Sequence, residues 1–534
     1  MKMKNINLKL AVAVLFVSLS NVSCTNDLDQ RDPATAANPT VEELYSNPAA
    51  YKQTLAKLYA GLSTSGQQGP AGSPDITGVD EGATGYIRGL WYLNELPTDE
   101  AIIAWNDNTI KDFHYQTWSA TDGFINANFS RLDFQIKNCN EFLRQTSDAK
   151  LDSRGVSADL RTEIATYRAE ARFLRAMSYW HFLDFYGGRV GLVTEDSSTD
   201  YFLPEQSTPQ EIFNFIESEL TAIDGELKAP RTNEYPRADK AAAWMVKAKL
   251  YMNAKVYIGI DKYADAMPLL TNIINSGYTL HDNYDELFLA DNDRNGAQNE
   301  TIFGVAFDGL NTKTYGGTTF LVHAPIGGTM VPAQYGVNGG WGGVRTTSAF
   351  VNKFPAGTAD QRSNFHTAGQ TLEIADVSDF TNGYAISKFR NVDVNGVAGS
   401  DAAGDFVDTD FPMFRLADAY LMYAECALRG AGDMGQALTY VNLVRTRAYG
   451  GSTAGNVSSI NLQYILDERA RELYWEGHRR TDLVRFGKFT GGSYIWPWKG
   501  NTANGSPTPG FRNIYPLPSN AIAANPLLIQ NPGY

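Results

Sequence analysis

The chain is short of the residues that most active centres need. It has three cysteines and six histidines in 534 residues. The histidines (His114, His181, His281, His323, His366 and His478) are scattered, without the spacing of a metal site. No His-Glu-x-x-His, no Gly-x-Ser-x-Gly and no Gly-x4-Gly-Lys-Ser/Thr occurs, so no zincin, nucleophile-elbow or P-loop chemistry is written in the sequence. A pair of glycosidase carboxylates can lie far apart in a chain, so motif searching leaves that rival open. Excess positive charge is also missing. The net charge of −14 excludes a nucleic-acid partner, because a phosphate backbone demands a basic face. Beyond the first twenty residues, no apolar run is long enough to span a bilayer.

Those first residues read as a targeting segment. Lys2, Lys4 and Lys9 form a basic stretch, and Leu10–Leu19 an apolar core too short for a spanning helix. Asn21-Val-Ser-Cys24 follows, with small Ser23 before the cysteine. That order makes Cys24 a candidate acceptor of a lipid anchor. Asn21 stands where the usual lipobox has Leu, so a plain secretory signal is the rival. The boundaries are a signal peptide over 1–23, a polar tether over 24–40 and one body over 41–534. Cys139 and Cys426 remain, each in a helical run, and read as buried thiols or as a disulfide.

The body is mainly α. Apolar periodicity predicts helices over Val41–Leu62, Ile87–Leu96, Phe124–Arg144, Leu160–Tyr186, Pro209–Leu227, Asp239–Tyr257, Lys262–Asn275, Leu416–Leu428 and Gly435–Arg447. Two helix pairs align by small residues, Ala248 with Ala424 and Ala266 with Ala437. That is the plan of a tetratricopeptide-like superhelical scaffold, spread over 41–277 and 412–490. Between 278 and 411 the helical period is lost. Gly, Thr, Asn and Asp dominate, and short strands are expected at Thr301–Phe307, Thr318–Val322 and Ala385–Phe389. This loop-rich insertion, like a second stretch over 491–534, is where binding residues concentrate on a rigid frame.

One segment is crowded with charge: Ile465–Gly487 carries Glu468, Glu472 and Glu476 as a like-charge row at i,i+4. It reads as a structural helix whose acids are met by cations from other elements, with a catalytic carboxylate cluster as the rival. The order Glu-Arg, Glu-Leu, Glu-Gly-x-Arg, Asp-Leu-x-Arg through this segment, then Tyr515-Pro-Leu-Pro518 and Gln530-Asn-Pro-Gly-Tyr534, resembles the SusD/RagB family of outer-membrane glycan-binding lipoproteins. Arg168–Gly187 also resembles that family's signature helix, so the likeness covers nearly the whole chain.

The resemblance implies a polysaccharide ligand, most nearly starch or malto-oligosaccharides. It also implies delivery to a SusC-like TonB-dependent porin, attachment to the outer membrane by a lipid anchor and no enzymatic activity. In the starch-binding branch an acid, an arginine, a tryptophan and an asparagine serve the glucan at increments of eight, seventeen and three. Asp80, Arg88, Trp105 and Asn108 reproduce those increments (88−80, 105−88, 108−105). Trp105 among Asn106, Asp107 and Asn108 also suits a sugar on its own account. An indole covers the apolar C–H face, while amides and carboxylates meet the hydroxyl rim. The branch supplies a further tyrosine and tryptophan from its loop-rich region, for which Tyr315 and Trp341 stand here, with Tyr335 as the alternative tyrosine. Asp291-Asn-Asp-Arg-Asn-Gly296 opens like a calcium loop but has Ile302 where the terminal Glu belongs. A structural Ca²⁺ on Asp291, Asp293 and Asn295 is set against a plain polar turn. The rivals for the whole chain are a relative with another glycan, a secreted glycosidase and a scaffold that binds only protein. The Cys24→Ala protein is expected to be soluble and unlipidated yet still to bind glycan; acylation and membrane attachment in that variant, read by mass spectrometry and fractionation, would exclude the anchor.

Overall fold

The computed structural model describes residues 40–70, 74–355, 357 and 359–534, so the leader, Cys24 and the tether up to residue 39 lie outside the described residues. The scaffold and its insertion carry twelve helices that matter to the site: α1 (Ala50–Ser63), α2 (Tyr86–Asn94), α3 (Gly123–Gln145), α4 (Ala158–Tyr186), α5 (Pro209–Ala222), α6 (Lys240–Met252), α7 (Tyr263–Ile274), α8 (Gly317–His323), α9 (Leu416–Leu428), α10 (Met434–Ala448), α11 (Leu462–Leu473) and α12 (Arg479–Arg485). Six short strands pair two by two, all antiparallel: β1 (Ile102–Ile103) with β3 (Val344–Arg345), β2 (Thr301–Val305) with β6 (Phe411–Arg415), and β4 (Phe365–His366) with β5 (Ala385–Ile386). Among the described residues no helix is long and apolar enough to cross a membrane.

The helix ends follow from local chemistry. Asp122 accepts from the backbone of Phe124 and Ile125 and starts α3. Thr208 and Glu211 close a capping box around Pro209 at the head of α5. Gly187, at φ +68°, stops α4 in the left-handed conformation. The helices then pack as pairs: α3 with α4, α4 with α5, α6 with α7, and α9 with α10. The last two pairs meet where α7 lies against α9. Ala248, Ala266, Ala424 and Ala437 are all fully buried at these crossings, where a larger side chain would hold the backbones apart. The architecture is the mainly α, tetratricopeptide-like scaffold that the periodicity and small residues predict.

Four expectations on elements are corrected. Val41–Leu62 is two helices, Val41–Tyr45 and α1, because Pro48 interrupts the ladder. Asp239–Tyr257 likewise breaks at Asn253. Thr318–Val322 is not a strand but part of α8, despite its β-branched residues. Its Phe320 packs edge-on to Trp91 at 5.1 Å and Tyr92 at 5.4 Å, and that packing overrides local propensity. The charged segment also divides. Leu473 ends α11, and Trp475 takes φ +63°. The turn is held because Glu95 accepts from the backbone of Gly477 and His478, and the Trp475 indole donates to the Glu100 carbonyl.

The acid row is fully buried and fully met. Glu468 pairs with Arg362 (2.8 Å), Arg445 (2.9 Å) and Arg471 (2.6 Å). Glu472 pairs with Arg362, Arg415 and Arg447, and Glu476 with Arg415 and Lys388 at 2.7 Å each. Glu300 joins through Arg415 and Arg447. Every carboxylate in the row has its partners, so the cluster is structural. Cys139 and Cys426 are free and buried; burial pushes the Cys139 thiol up to about 12.

Burial alone would raise the Glu468 carboxyl, but Arg362, Arg471 and Arg445 outweigh it and hold its pKa well below the ordinary 4.5. A depressed carboxyl stabilises the fold above its unfolded value and loses that contribution as pH falls. Glu468→Gln is therefore expected to cost about 3–5 kcal/mol near neutrality, because it leaves buried cations short of a partner. The loss relative to wild type should shrink below pH 4.5, and urea unfolding across pH checks both.

Candidate functional site

A cleft of about 690 Å³ opens at the junction of α2 with the insertion. Asp80, Arg88, Trp105, Asn108, Tyr315 and Trp341 all line it, although they come from three separate parts of the chain. The small sheet explains much of this convergence. Ile102 pairs with Arg345 and Ile103 with Val344, and the Ala104 amide continues the ladder to the Gly343 carbonyl at 2.8 Å. Trp105 is thereby set beside the glycine-rich loop, where its Nε1 donates to the Trp341 carbonyl at 3.0 Å. A Cβ on Gly343 would lie 2.4 Å from the Trp105 ring, so this close approach requires glycine.

Arg88 is the polar centre. Only 6% of it is exposed. Its Nε donates to the Tyr92 hydroxyl (2.9 Å) and its Nη1 to the Tyr315 carbonyl (3.0 Å), with Asp80 at a looser 3.4 Å. The guanidinium lies over the Phe320 ring at 4.6 Å and near Trp105 at 5.7 Å, which shares its charge with aromatic faces. Gly82 lets Tyr315 approach, since a Cβ there would meet the Tyr315 carbonyl at 2.4 Å. The Tyr315 amide donates to Glu81, while its ring is 39% exposed.

The three rings form a stepped surface. Trp105 and Trp341 stand 6.3 Å apart at 44°, and Trp341 and Tyr315 6.2 Å apart at 65°. His323 stacks behind Trp341 at 5.0 Å and 18°, with its Nδ1 2.7 Å from the Gly339 carbonyl. Burial pushes the His323 pKa down, so the ring is neutral at pH 7. Asp80 and Asn108 are exposed at the rim. Such a surface offers apolar faces of differing tilt with a carboxylate, a guanidinium and an amide around them. It suits a hydroxyl-rich ring with one apolar face.

Sequence reasoning passed over Tyr92 and the role of His323. Tyr92 lines the cleft and could have been found from its place four residues after Arg88 on one helix face. Nothing in the sequence marks His323 as the support of Trp341. Tyr335, the alternative to Tyr315, ends a short turn at Pro332–Tyr335 and does not line the cleft.

The Asp291–Gly296 turn is a hydrogen-bonded one. Asp291 accepts from Asn295 and from the Val394 amide, Asp293 pairs with Arg294 at 2.8 Å, and Asn295 accepts from the Ala297 amide. These oxygens have protein donors, and the described residues hold no group of three or more His, Cys, Asp or Glu suited to a metal.

Comparison with known proteins bears on the whole chain. It is 36% identical to the starch-binding protein SusD of Bacteroides thetaiotaomicron, over all of both chains. The chain belongs to the SusD family. A family model described as the SusD family matches residues 360–534, the part that contains the buried acid row and the Pro-punctuated tail. The SusD-like protein P25 of Formosa agariphila is 25% identical over 99% of this chain and 98% of its own. A SusD homologue from Bacteroides thetaiotaomicron superposes with a TM-score of 0.70 at 20% identity, covering 94% of this chain and 99% of that one. A laminarin-binding SusD-like protein superposes at 0.68 and 22% identity, covering 91% and 99%. This is a SusD-like glycan-binding protein.

The close approach at Gly343 gives a test of the site's construction. Gly343→Ala is expected to displace the Trp105 indole and to cost about 1–3 kcal/mol, as overpacking does. The Nε1–H resonance of Trp105 should shift away from its hydrogen-bonded position, and an unmoved resonance would show that the contact is not needed.

Proposed function

We propose that this SusD-family protein binds starch or malto-oligosaccharides at the cell surface and passes them to a SusC-like TonB-dependent transporter, without cleaving them. The observation that carries the reading is the convergence of Asp80, Arg88, Trp105, Asn108, Tyr315 and Trp341 on one cleft. The 36% likeness to a protein named for starch binding supports the ligand. An α-glucan coils, so successive sugar faces turn, and the differing tilts of Trp105, Trp341 and Tyr315 suit faces that turn. Lipidation at Cys24 would hold the body on the outer membrane. The 36% likeness to a protein named for binding favours binding over hydrolysis.

A second reading has its own support. Two structural neighbours concern laminarin or its hexaose: the laminarin-binding SusD-like protein, and surface glycan-binding protein A of Bacteroides thetaiotaomicron in complex with laminarihexaose, at a TM-score of 0.65 and 19% identity over 90% of this chain and 98% of that one. A β-glucan in the same cleft is the rival ligand. Calcium rests on the Asp291-x-Asp293-x-Asn295 pattern alone. If it binds, chelation lowers the melting temperature, since a ligand of the folded state stabilises it; no metal by elemental analysis and an unchanged melt would remove it.

Each stacked ring removes some tens of Å² of apolar surface from water, worth about 1–2 kcal/mol. After the cost of association the expected affinity is roughly micromolar to millimolar. Trp105 is half-buried and bonded to the opposite loop, so its removal perturbs the cleft as well as the contact. Tyr315 is the cleaner test. Tyr315→Ala and Trp341→Ala are each expected to weaken binding of a cyclic malto-oligosaccharide about tenfold, a loss of about 1.4 kcal/mol, with the melt of the Tyr315 variant nearly unchanged. Isothermal titration measures the first and calorimetry the second. Full affinity in both folded variants would refute the site. Binding of laminarin but not of starch would refute the ligand, and release of shorter sugars by the pure protein would refute the binding-only reading.

A further inference from the structure

The aromatic cleft does not end at its own rim. Gly78 and Gly123 line it on one side and, on the other, line a second cleft of about 680 Å³. The two spaces therefore adjoin across a saddle at Gly78 and Gly123; the Val79 side chain packs on Gly123, so the way between them lies over Gly78. Gly78 has φ +104°, and a Cβ there would touch nothing, so the saddle is open above it.

The second cleft is built from the exposed face of α3 and from the helix Ser519–Ala524 near the C-terminus. Asn126, Ser130 and Asp133 recur at three- and four-residue spacing, which puts them on one face with Phe129. Phe129 is half-buried, packed edge-on to Phe182 at 4.9 Å and Tyr186 at 5.2 Å, and it also lines the cleft. Asn520 faces it from the other wall. Among the described residues, the side chains of Asn126, Ser130 and Asn520 have no hydrogen-bond partner in the protein. By contrast Asp133 pairs with Lys137 and Asp75 with Arg131. An apolar ring edge surrounded by neutral amides and a hydroxyl matches a neutral polyhydroxylated ligand. Asp122 also lines the cleft, and its Oδ2, without a hydrogen-bond partner in the protein, adds an acceptor for a hydroxyl.

We propose that the second cleft is an extension subsite, which takes further sugar residues of the same polysaccharide chain that occupies the aromatic cleft. The chain would cross the Gly78–Gly123 saddle and meet Asn126, Ser130, Asn520 and Phe129 beyond it. This inference rests on the glycan reading of the first cleft. It adds that affinity depends on chain length and that only long ligands sense the second wall.

The test uses the mature protein and linear malto- and laminari-oligosaccharides of three and of ten or more residues, titrated calorimetrically. Wild type is expected to bind the long chain of its preferred glucan more tightly than the trisaccharide. Asn126→Ala combined with Asn520→Ala should weaken the long chain about fivefold or more and leave the trisaccharide unchanged. Asn520→Ala alone, on an exposed residue, gives a smaller loss in the same direction and guards against misfolding of the double variant. Equal loss for short and long chains, or no loss for either, overturns the subsite while the aromatic cleft stands. Failure of every glucan to bind wild type overturns the glycan reading, and this inference falls with it.

Discussion

Burying three carboxylates in a row is tolerable only if enough cations arrive from elsewhere, and that requirement shapes this protein. Desolvating an ion costs several kcal/mol, repaid only by close, well-placed partners. The partners here come from distant parts of the chain. Arg362 and Lys388 belong to the insertion, Arg415 precedes α9, and Arg445 and Arg447 lie on α10. The insertion cannot move without stranding a buried charge. A region that looks like loop by composition is thereby fixed to the scaffold as firmly as a helix would be.

The same logic continues toward the cleft. Arg479, the first residue of α12, pairs with buried Asp99, and the Tyr494 hydroxyl donates to that carboxylate at 2.6 Å. Asp99 stands just before β1, which delivers Trp105. The aromatic surface is thus held from two directions, by ion pairs behind β1 and by the β1–β3 ladder in front of it. Fixed charges build the frame, and the cleft itself keeps one buried cation, Arg88, and two exposed carboxylates, Asp80 and Asp107, at the rim.

Much of this was legible because helices announce themselves over many residues. The 3.6-residue period of α3 and α4, the capping residues and the aligned alanines all sit in contiguous stretches. The boundaries that failed were set by single events: Pro48, Asn253 and the left-handed Trp475. Thr318–Val322 misled because local propensity favours a strand, while Phe320 is claimed by three aromatic neighbours that lie far away in sequence. On the segment from Asp80 to Asn108, Trp105 among its polar neighbours was legible by itself, whereas Asp80 and Arg88 were joined to it only because the increments match the resembling branch. Tyr315 and Trp341 needed the resemblance as well, since nothing local says which loop aromatic turns toward a cleft. His323 was invisible, for support behind a ring leaves no trace in sequence.

The indole of Trp105 donates its only hydrogen to the backbone of the opposite loop. The ordering of both sides is therefore charged to folding and not to each encounter with a ligand. A guest that arrives finds the surface already assembled. With Asp80, Asn108 and Tyr315 exposed to solvent, its dwell time is set by its own contacts. The modest affinity expected of the proposed function, and rapid exchange with it, would then be two expressions of one stiff platform.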